Sequence, residues 1–414
     1  MNKGISAYML EQLEKELMIY KNNEFHQYHN KKLKIALVTE TWPPEINGVA
    51  LSILQLAKRL QQRGHQFLLI RPQQHQVTNC FVAEQECLVK PQSIPKYKQM
   101  QFGWPQVFKL GRAFDEFKPD IVHIVTEGPL GLAALIQAKQ RNIPVSSGFH
   151  SSFHDFSRYF DLAFLLGPVR HYLKWFHNQT QLTCVPSQDT LQMLKKFGIR
   201  CPMHIVGRGV DTQKFNPKYR KAELRQQWQA TPKTTVLMNV GRVSPEKDLP
   251  CIFEGYQKLK HAQPERDFKL IIVGDGPSLA EYQNKYQATD VIFMGAQTGE
   301  MLSQCYASAD AFVFASQVET FGNVVLEAMA SGLPVLAYDA ACAGQMIQHN
   351  QHGWLVPLAK VATWQEMLTA LPELYQLKKM GKHALLKVEH CSWDQPVADF
   401  EKLLITYSNS TIYQ

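Results

Sequence analysis

Apolar positions fall into short runs separated by longer amphipathic stretches. The segment 33–39 is an aliphatic and β-branched run interrupted only by Lys34, 67–70 is wholly apolar, and 121–125, 144–147 and 182–185 are similar short stretches carrying occasional His, Ser or Thr. Runs this short, with no polar alternation, fit strands buried on both faces. Between them the spacing becomes helical, as over 50–62, where Gly64 supplies a stop. A second series begins near Thr234. It predicts strands over 236–240, 270–273, 291–294, 311–314 and 334–337, and a helix over 251–260.

Alternating strands and helices of this kind indicate parallel sheets covered by helices, an α/β architecture. Both series open alike, with a strand, a glycine-containing loop and a helix. This predicts two doubly wound Rossmann-like domains rather than one wide sheet. The break falls at 207–217, where Gly, Asp, Asn and Pro cluster. The expected domains are 31–208 and 209–393. Ahead of them, Met9, Leu13, Leu17 and Tyr20 recur at helical spacing, so 1–30 reads as an N-terminal helical extension. In open parallel sheets ligands bind beyond the carboxyl ends of the strands, so two facing sheets would frame a deep cleft.

Composition narrows the classes. Of 414 residues, 45% are hydrophobic and 19% charged, which suits a packed chain and excludes pervasive disorder. No window approaches the roughly 18 consecutive apolar residues of a spanning helix. Met1-Asn2-Lys3-Gly4 leads into polar sequence without a signal-peptide core, so a cytoplasmic location is expected. The eight cysteines show no C-x-x-C spacing and read as buried free thiols. A net charge of +8 is compatible with nucleic acid, an anionic membrane surface or an acidic substrate, and does not choose among them.

Three loops carry candidate chemistry. The first spans 319–332, Glu-Thr-Phe-Gly-Asn-Val-Val-Leu-Glu-Ala-Met-Ala-Ser-Gly, after the strand 311–314. A helix starting near Asn323 would present free backbone N–H groups to the cleft. Glu319 would lie just outside it and Glu327 one turn inside, a spacing that suits vicinal hydroxyls. A capped helix with two surface glutamates is the plain alternative. The second loop, Gly241-Arg242-Val243-Ser244-Pro245-Glu246-Lys247, sets two cations over a strand end, which suits a diphosphate. The third, Pro43-Pro44-Glu45-Ile46-Asn47-Gly48-Val49, offers Gly48 for close phosphate approach. Neither GxGxxG nor a P-loop occurs in these loops, which disfavours dinucleotide dehydrogenases and P-loop NTPases.

Together and in this order, these motifs resemble the retaining glycosyltransferases of family 4, with the GT-B fold, over about 34–393. The resemblance implies that 31–208 is the acceptor-binding domain, that 209–393 binds the nucleotide sugar, and that a helix over 394–414 packs back on the first domain. Arg242 and Lys247 would hold the donor diphosphate, Glu327 the ribose and Glu319 the transferred sugar. Phe321, Gly322, Asn323 and Val324 would offer backbone N–H groups, and Gly48 would approach the phosphate. The family also places a histidine where His150 stands, beside the reactive carbon, and an acidic residue near the cleft at Asp211. A metal site of His150, His154 and Asp155 is the rival reading of that segment, and without a further ligand at metal spacing no metal is expected.

The implied activity is metal-independent hexosyl transfer, with retention, from a GDP-mannose or UDP-glucose type donor. On the acceptor side, 158–177 combines apolar positions at helical spacing with Arg170, Lys174 and Trp175, as an interfacial helix on anionic lipid would. An ordinary helix packed on the sheet has the same pattern. The segment 149–157 resembles the lipid-glycosylating branch, implying a membrane lipid or lipid-linked acceptor and a peripheral site on the cytoplasmic face of the inner membrane. A soluble or saccharide acceptor, as in polysaccharide or lipopolysaccharide synthesis, remains open. So does a non-catalytic sugar-nucleotide-binding protein. Nucleic acid is not expected.

Overall fold

A computed structural model describes residues 31–45, 47–74, 80–94, 97–150, 166–286 and 290–409. The expected helix within 1–30, and the pair His154 and Asp155, lie outside these residues.

The N-terminal half is built on β1 (Lys34–Val38), β2 (Gln66–Pro72), β3 (Gln85–Val89), β6 (Ile121–Ile124), β7 (Val145–Gly148), β8 (Leu182–Val185) and β9 (Met203–Ile205). They form one parallel sheet in the order β3-β2-β1-β6-β7-β8-β9. A small antiparallel hairpin, β4 (Pro91–Ile94) and β5 (Tyr97–Gly103), stands beside it. The C-terminal half contains β10 (Thr235–Val240), β11 (Phe268–Val273), β12 (Val291–Phe293), β13 (Ala311–Phe314), β14 (Val335–Tyr338) and β15 (Gly353–Val356). These pair in parallel in the order β12-β11-β10-β13-β14-β15.

Strand pleating explains why the central runs are apolar throughout. On β1, Ile35 and Leu37 join the core beneath the helix Gly48–Gln62. Ala36 and Val38 point the other way, beneath the helices Val107–Phe117 and Pro129–Gln140. On β10, Leu237 packs toward the helix Leu249–Ala262 and Trp364, while Val236 and Met238 face the helix Asn323–Ala330.

The final helix, Asp394–Ser408, buries Val397, Phe400, Leu404 and Ile405 in the N-terminal core with Ile35 and Leu37. The chain therefore crosses between the halves twice, and the crossings lie side by side. Val210 N–H donates to Cys391 O at 2.8 Å. A Cβ on Gly209 would fall 2.5 Å from the carbonyl carbon of Ser392. No helix of the described residues is long and apolar enough to cross a membrane.

Candidate functional site

The site is assembled where the strand ends of the two sheets meet. After β10 the chain turns through Gly241 and Arg242 into a short 3-10 turn, Pro245–Lys247. The neighbouring loop after β11 presses against it: a Cβ on Gly274 would sit 1.8 Å from Gly241 O, so only glycine fits there. Val243 N–H donates to Asp275 O and fixes the two loops together. Lys247 then reaches across, its Nζ 2.5 Å from Glu319 Oε1, with only 21% and 17% of the two side chains exposed. Arg242 is exposed and has no ion-pair or hydrogen-bond partner among the described residues.

Glu319 lies on the loop after β13. That loop ends at Gly322, whose φ of +87° is left-handed backbone that favours glycine, and the helix Asn323–Ala330 follows. Its first N–H groups have no carbonyl one turn earlier to bond. Phe321 is buried, and Gly322, Asn323 and Val324 are half-buried. Asn323 Nδ2 donates to Ser52 Oγ at 3.0 Å. Ser52 belongs to the helix Gly48–Gln62, so this bond joins the two halves across the cleft. The other polar atom of that side chain, Asn323 Oδ1, is buried without a donor among the described residues.

Glu327 sits one turn into the helix, where its Oε2 accepts from the Tyr306 hydroxyl at 2.9 Å. Burial raises its carboxyl above the usual range, against the lowering effects of that bond and of Lys214. The two glutamates are thus not surface decoration on a capped helix. One pairs with Lys247 and the other is partly buried against Tyr306.

On the opposite wall, Gly48 opens its helix in an exposed position. Asn47 caps it, Oδ1 accepting from Ala50 N–H at 2.8 Å. Among the described residues a Cβ on Gly48 would meet nothing within 4 Å, so their packing does not demand glycine there. His150 follows β7. Its Nδ1 is 3.1 Å from Arg208 Nη2, and its ring lies over Gly148, where an added Cβ would be 2.5 Å from Nε2. Burial, with Arg208, His123 and His177 nearby, holds His150 well below the ordinary histidine range. Asp211 lies in the interdomain connection 207–217, Oδ1 accepting from Gln213 and Lys214 N–H groups at 3.1 Å each.

The basic and aromatic stretch forms, in its described part, the helix Leu166–Asn178. Leu173, Phe176 and His177 face inward. Arg170, Lys174 and Trp175 are exposed, Trp175 by 47%, and Arg170 stacks over Phe197 at 5.2 Å. Among the described residues no three His, Cys, Asp or Glu side chains are grouped to hold a metal ion. All eight cysteines are free.

Three contributors had no signal in the sequence. Tyr306 holds Glu327, Ser52 meets Asn323, and Arg208 meets His150. Each partner is remote along the chain, and none belongs to a recognisable motif.

The chain matches two family models, "Glycosyltransferase Family 4" over residues 46–214 and "Glycosyl transferases group 1" over 220–384. It is 31% identical over 346 residues to a GDP-mannose-dependent alpha-mannosyltransferase of Corynebacterium glutamicum, covering 83% of this chain and 80% of that one. It is 26% identical over 335 residues to an alpha-monoglucosyldiacylglycerol synthase of Streptococcus pneumoniae, covering 78% of this chain and 75% of the relative. Among solved structures, Anabaena HepE in complex with UDP and glucose superposes with a TM-score of 0.71 at 19% identity, covering 91% of this chain and 100% of that one. The two parallel sheets facing a cleft are the GT-B fold.

Proposed function

Because this chain belongs to glycosyltransferase family 4, we propose that it transfers a hexose, mannose or glucose, from a nucleotide-diphosphate sugar to a membrane lipid or lipid-linked acceptor. Transfer retains the anomeric configuration and needs no metal. The observation that carries this reading is the convergence of Lys247, Arg242, Glu319 and the bare start of the helix Asn323–Ala330 at the strand ends facing the helix Gly48–Gln62.

An incoming diphosphate takes Lys247 from Glu319 and also engages Arg242, whose exposed fork has no competing partner among the described residues. Glu319 is then free to accept hydroxyls of the sugar. Asn323 Oδ1, buried and unpaired, gains a donor when a sugar hydroxyl enters. Glu327, held by Tyr306, keeps its other oxygen for the ribose. As the glycosidic bond breaks, charge grows on the departing diphosphate, and the two cations stabilise it more than they stabilise the ground state. That phosphate takes the acceptor's proton on the same face. His150 closes the acceptor side.

GDP-mannose is favoured as donor by the name of the corynebacterial relative, and a lipid acceptor by that of the pneumococcal one. The exposed Arg170, Lys174 and Trp175 suit an anionic bilayer on the cytoplasmic face. The test is a thermal-shift series with GDP-mannose and UDP-glucose in the presence of EDTA, followed by turnover on anionic vesicles carrying the extracted lipid acceptor. The true donor raises the melting temperature by mass action. No shift and no donor consumption with either sugar nucleotide overturns the donor reading. Turnover confined to water-soluble saccharides overturns the lipid reading.

A further inference from the structure

Arg208 is not accounted for by any of the roles above. It lies in the hinge between Gly207 and Gly209, where the two chain crossings touch. Its guanidinium has no carboxylate partner among the described residues. Nη1 donates to the carbonyls of Val206 and Gly207 at 3.1 and 3.2 Å, and Nη2 points at His150 Nδ1 at 3.1 Å. Burial lowers its pKa to about 10, so it remains charged at neutral pH.

A guanidinium only donates hydrogen bonds, so the nitrogen it faces must be without hydrogen. We propose that Arg208 is the positioning residue for His150, fixing the rotation of its ring and leaving its proton on Nε2. Gly148 completes the arrangement, since any Cβ there would fall 2.5 Å from His150 Nε2 and push the ring away. The groups facing the ring are those of one buried pocket: His123 from β6, Cys184 from β8 and Arg208 from the hinge, with Phe400 from the last helix closing it. His177 acts from the helix Leu166–Asn178, and its own nitrogens are engaged by Glu127 and Ser147. Among the described residues none of these is an anion directed at His150. Burial disfavours a charged imidazole, and Arg208 also opposes its protonation through space.

Positioning of this kind matters because a retaining transfer passes through a sugar with positive character at its reacting carbon. A charged or rotated imidazole beside it would work against that state, while a fixed neutral one does not. The bond also ties the acceptor-side loop to the hinge, so its geometry is set by the same segment that joins the two domains.

The inference rests on the proposed role of His150 in transfer, and the experiment separates the two. Full-length protein with 15N-labelled histidine is read by imidazole NMR at pH 7, wild type beside Arg208→Met and Arg208→Lys. The expected wild-type signal is a neutral ring with hydrogen on Nε2 and a bare Nδ1. In Arg208→Met the hydrogen distributes over both nitrogens, and in Arg208→Lys it stays on Nε2. A wild-type His150 that is charged, or protonated on Nδ1, overturns the assignment whether or not a substrate has been found. In turnover, Arg208→Met lowers kcat about 10–100-fold, by analogy with partners that orient metal-bound histidines, with KM for the sugar nucleotide changed less than about twofold. Arg208→Lys recovers part of that loss. In a His150→Ala background Arg208→Met costs nothing further. Independent, additive losses would overturn the coupling. An unchanged kcat in Arg208→Met would overturn the positioning role, whereas a wild-type kcat in His150→Ala would instead remove His150 from the reaction.

Discussion

Glu40 lies two residues beyond the carboxyl end of β1, and its substitution by glutamine changes how stability depends on pH. Its Oε1 accepts from Leu130 N–H at 3.0 Å, at the start of the helix Pro129–Gln140. Its carboxylate fills the space that a side chain on Gly128 would occupy, for a Cβ there would be 2.1 Å from Oε2. Burial is the largest effect on its carboxyl, Glu127 adds repulsion, and the bonds from Leu130 and Gly103 only partly offset them, so its pKa rises from 4.5 to about 7. The folded protein thus keeps a proton that the unfolded chain releases. The associated stability is fully present below about pH 4.5, falls as pH rises, and is lost once pH passes about 7. At 1.36 kcal/mol per unit, the loss across this window is about 3 kcal/mol. Glutamine keeps an acceptor for Leu130 and never ionises. The stability of Glu40→Gln relative to wild type should therefore increase by about 3 kcal/mol between pH 4.5 and pH 8. The assay is urea denaturation at several pH values, with hydrogen exchange of β1 peptides assigning the transition to the N-terminal domain. A difference that stays flat with pH, or shrinks as pH rises, refutes the reasoning.

Other perturbations address the donor side and the frame. Lys247→Ala and Glu319→Ala should each lower turnover at least about 100-fold, while melting shifts correspond to no more than about 1 kcal/mol, because the pair is partly solvated; wild-type turnover in either variant removes that residue from the site. Tyr306→Phe deletes the donor to Glu327 and should weaken sugar-nucleotide binding by about 1–2 kcal/mol, read as a higher KM with little change in kcat. Asp310 accepts from Arg220, Arg225 and Val236 N–H and is almost fully buried. Asp310→Ala strands a buried guanidinium and should cost about 3–5 kcal/mol in denaturation experiments.

How much of this was legible in the sequence depended on the range of the forces involved. Strands buried on both faces announce themselves, and β1, β2, β6, β8, β10, β11, β13 and β14 follow the apolar runs. Of the edge strands of the two parallel sheets, β3, β9 and β15 did not, whereas β12 follows the run 291–294. β3 and β9 carry polar and half-exposed residues, because an edge needs only partial burial, and β15 joins at the opposite margin of its sheet. The doubled arrangement was visible because each half repeats the same local order of strand, glycine loop and helix. The helix start at Asn323 was visible because Gly322 interrupts an otherwise regular pattern, and the structure places that glycine in left-handed backbone.

The chain's local chemistry determined which loops carry cations, carboxylates and glycines, since each motif is one short continuous segment shaped by neighbours in sequence. Only the tertiary structure decided what these groups face. Lys247 and Glu319 lie 72 positions apart, Ser52 and Asn323 are 271 apart, and Arg208 meets His150 across 58. Such pairs are selected by the packing of two sheets and two chain crossings. No local pattern encodes them, because burial, which sets both their charge states and their partners, is a property of the assembled fold.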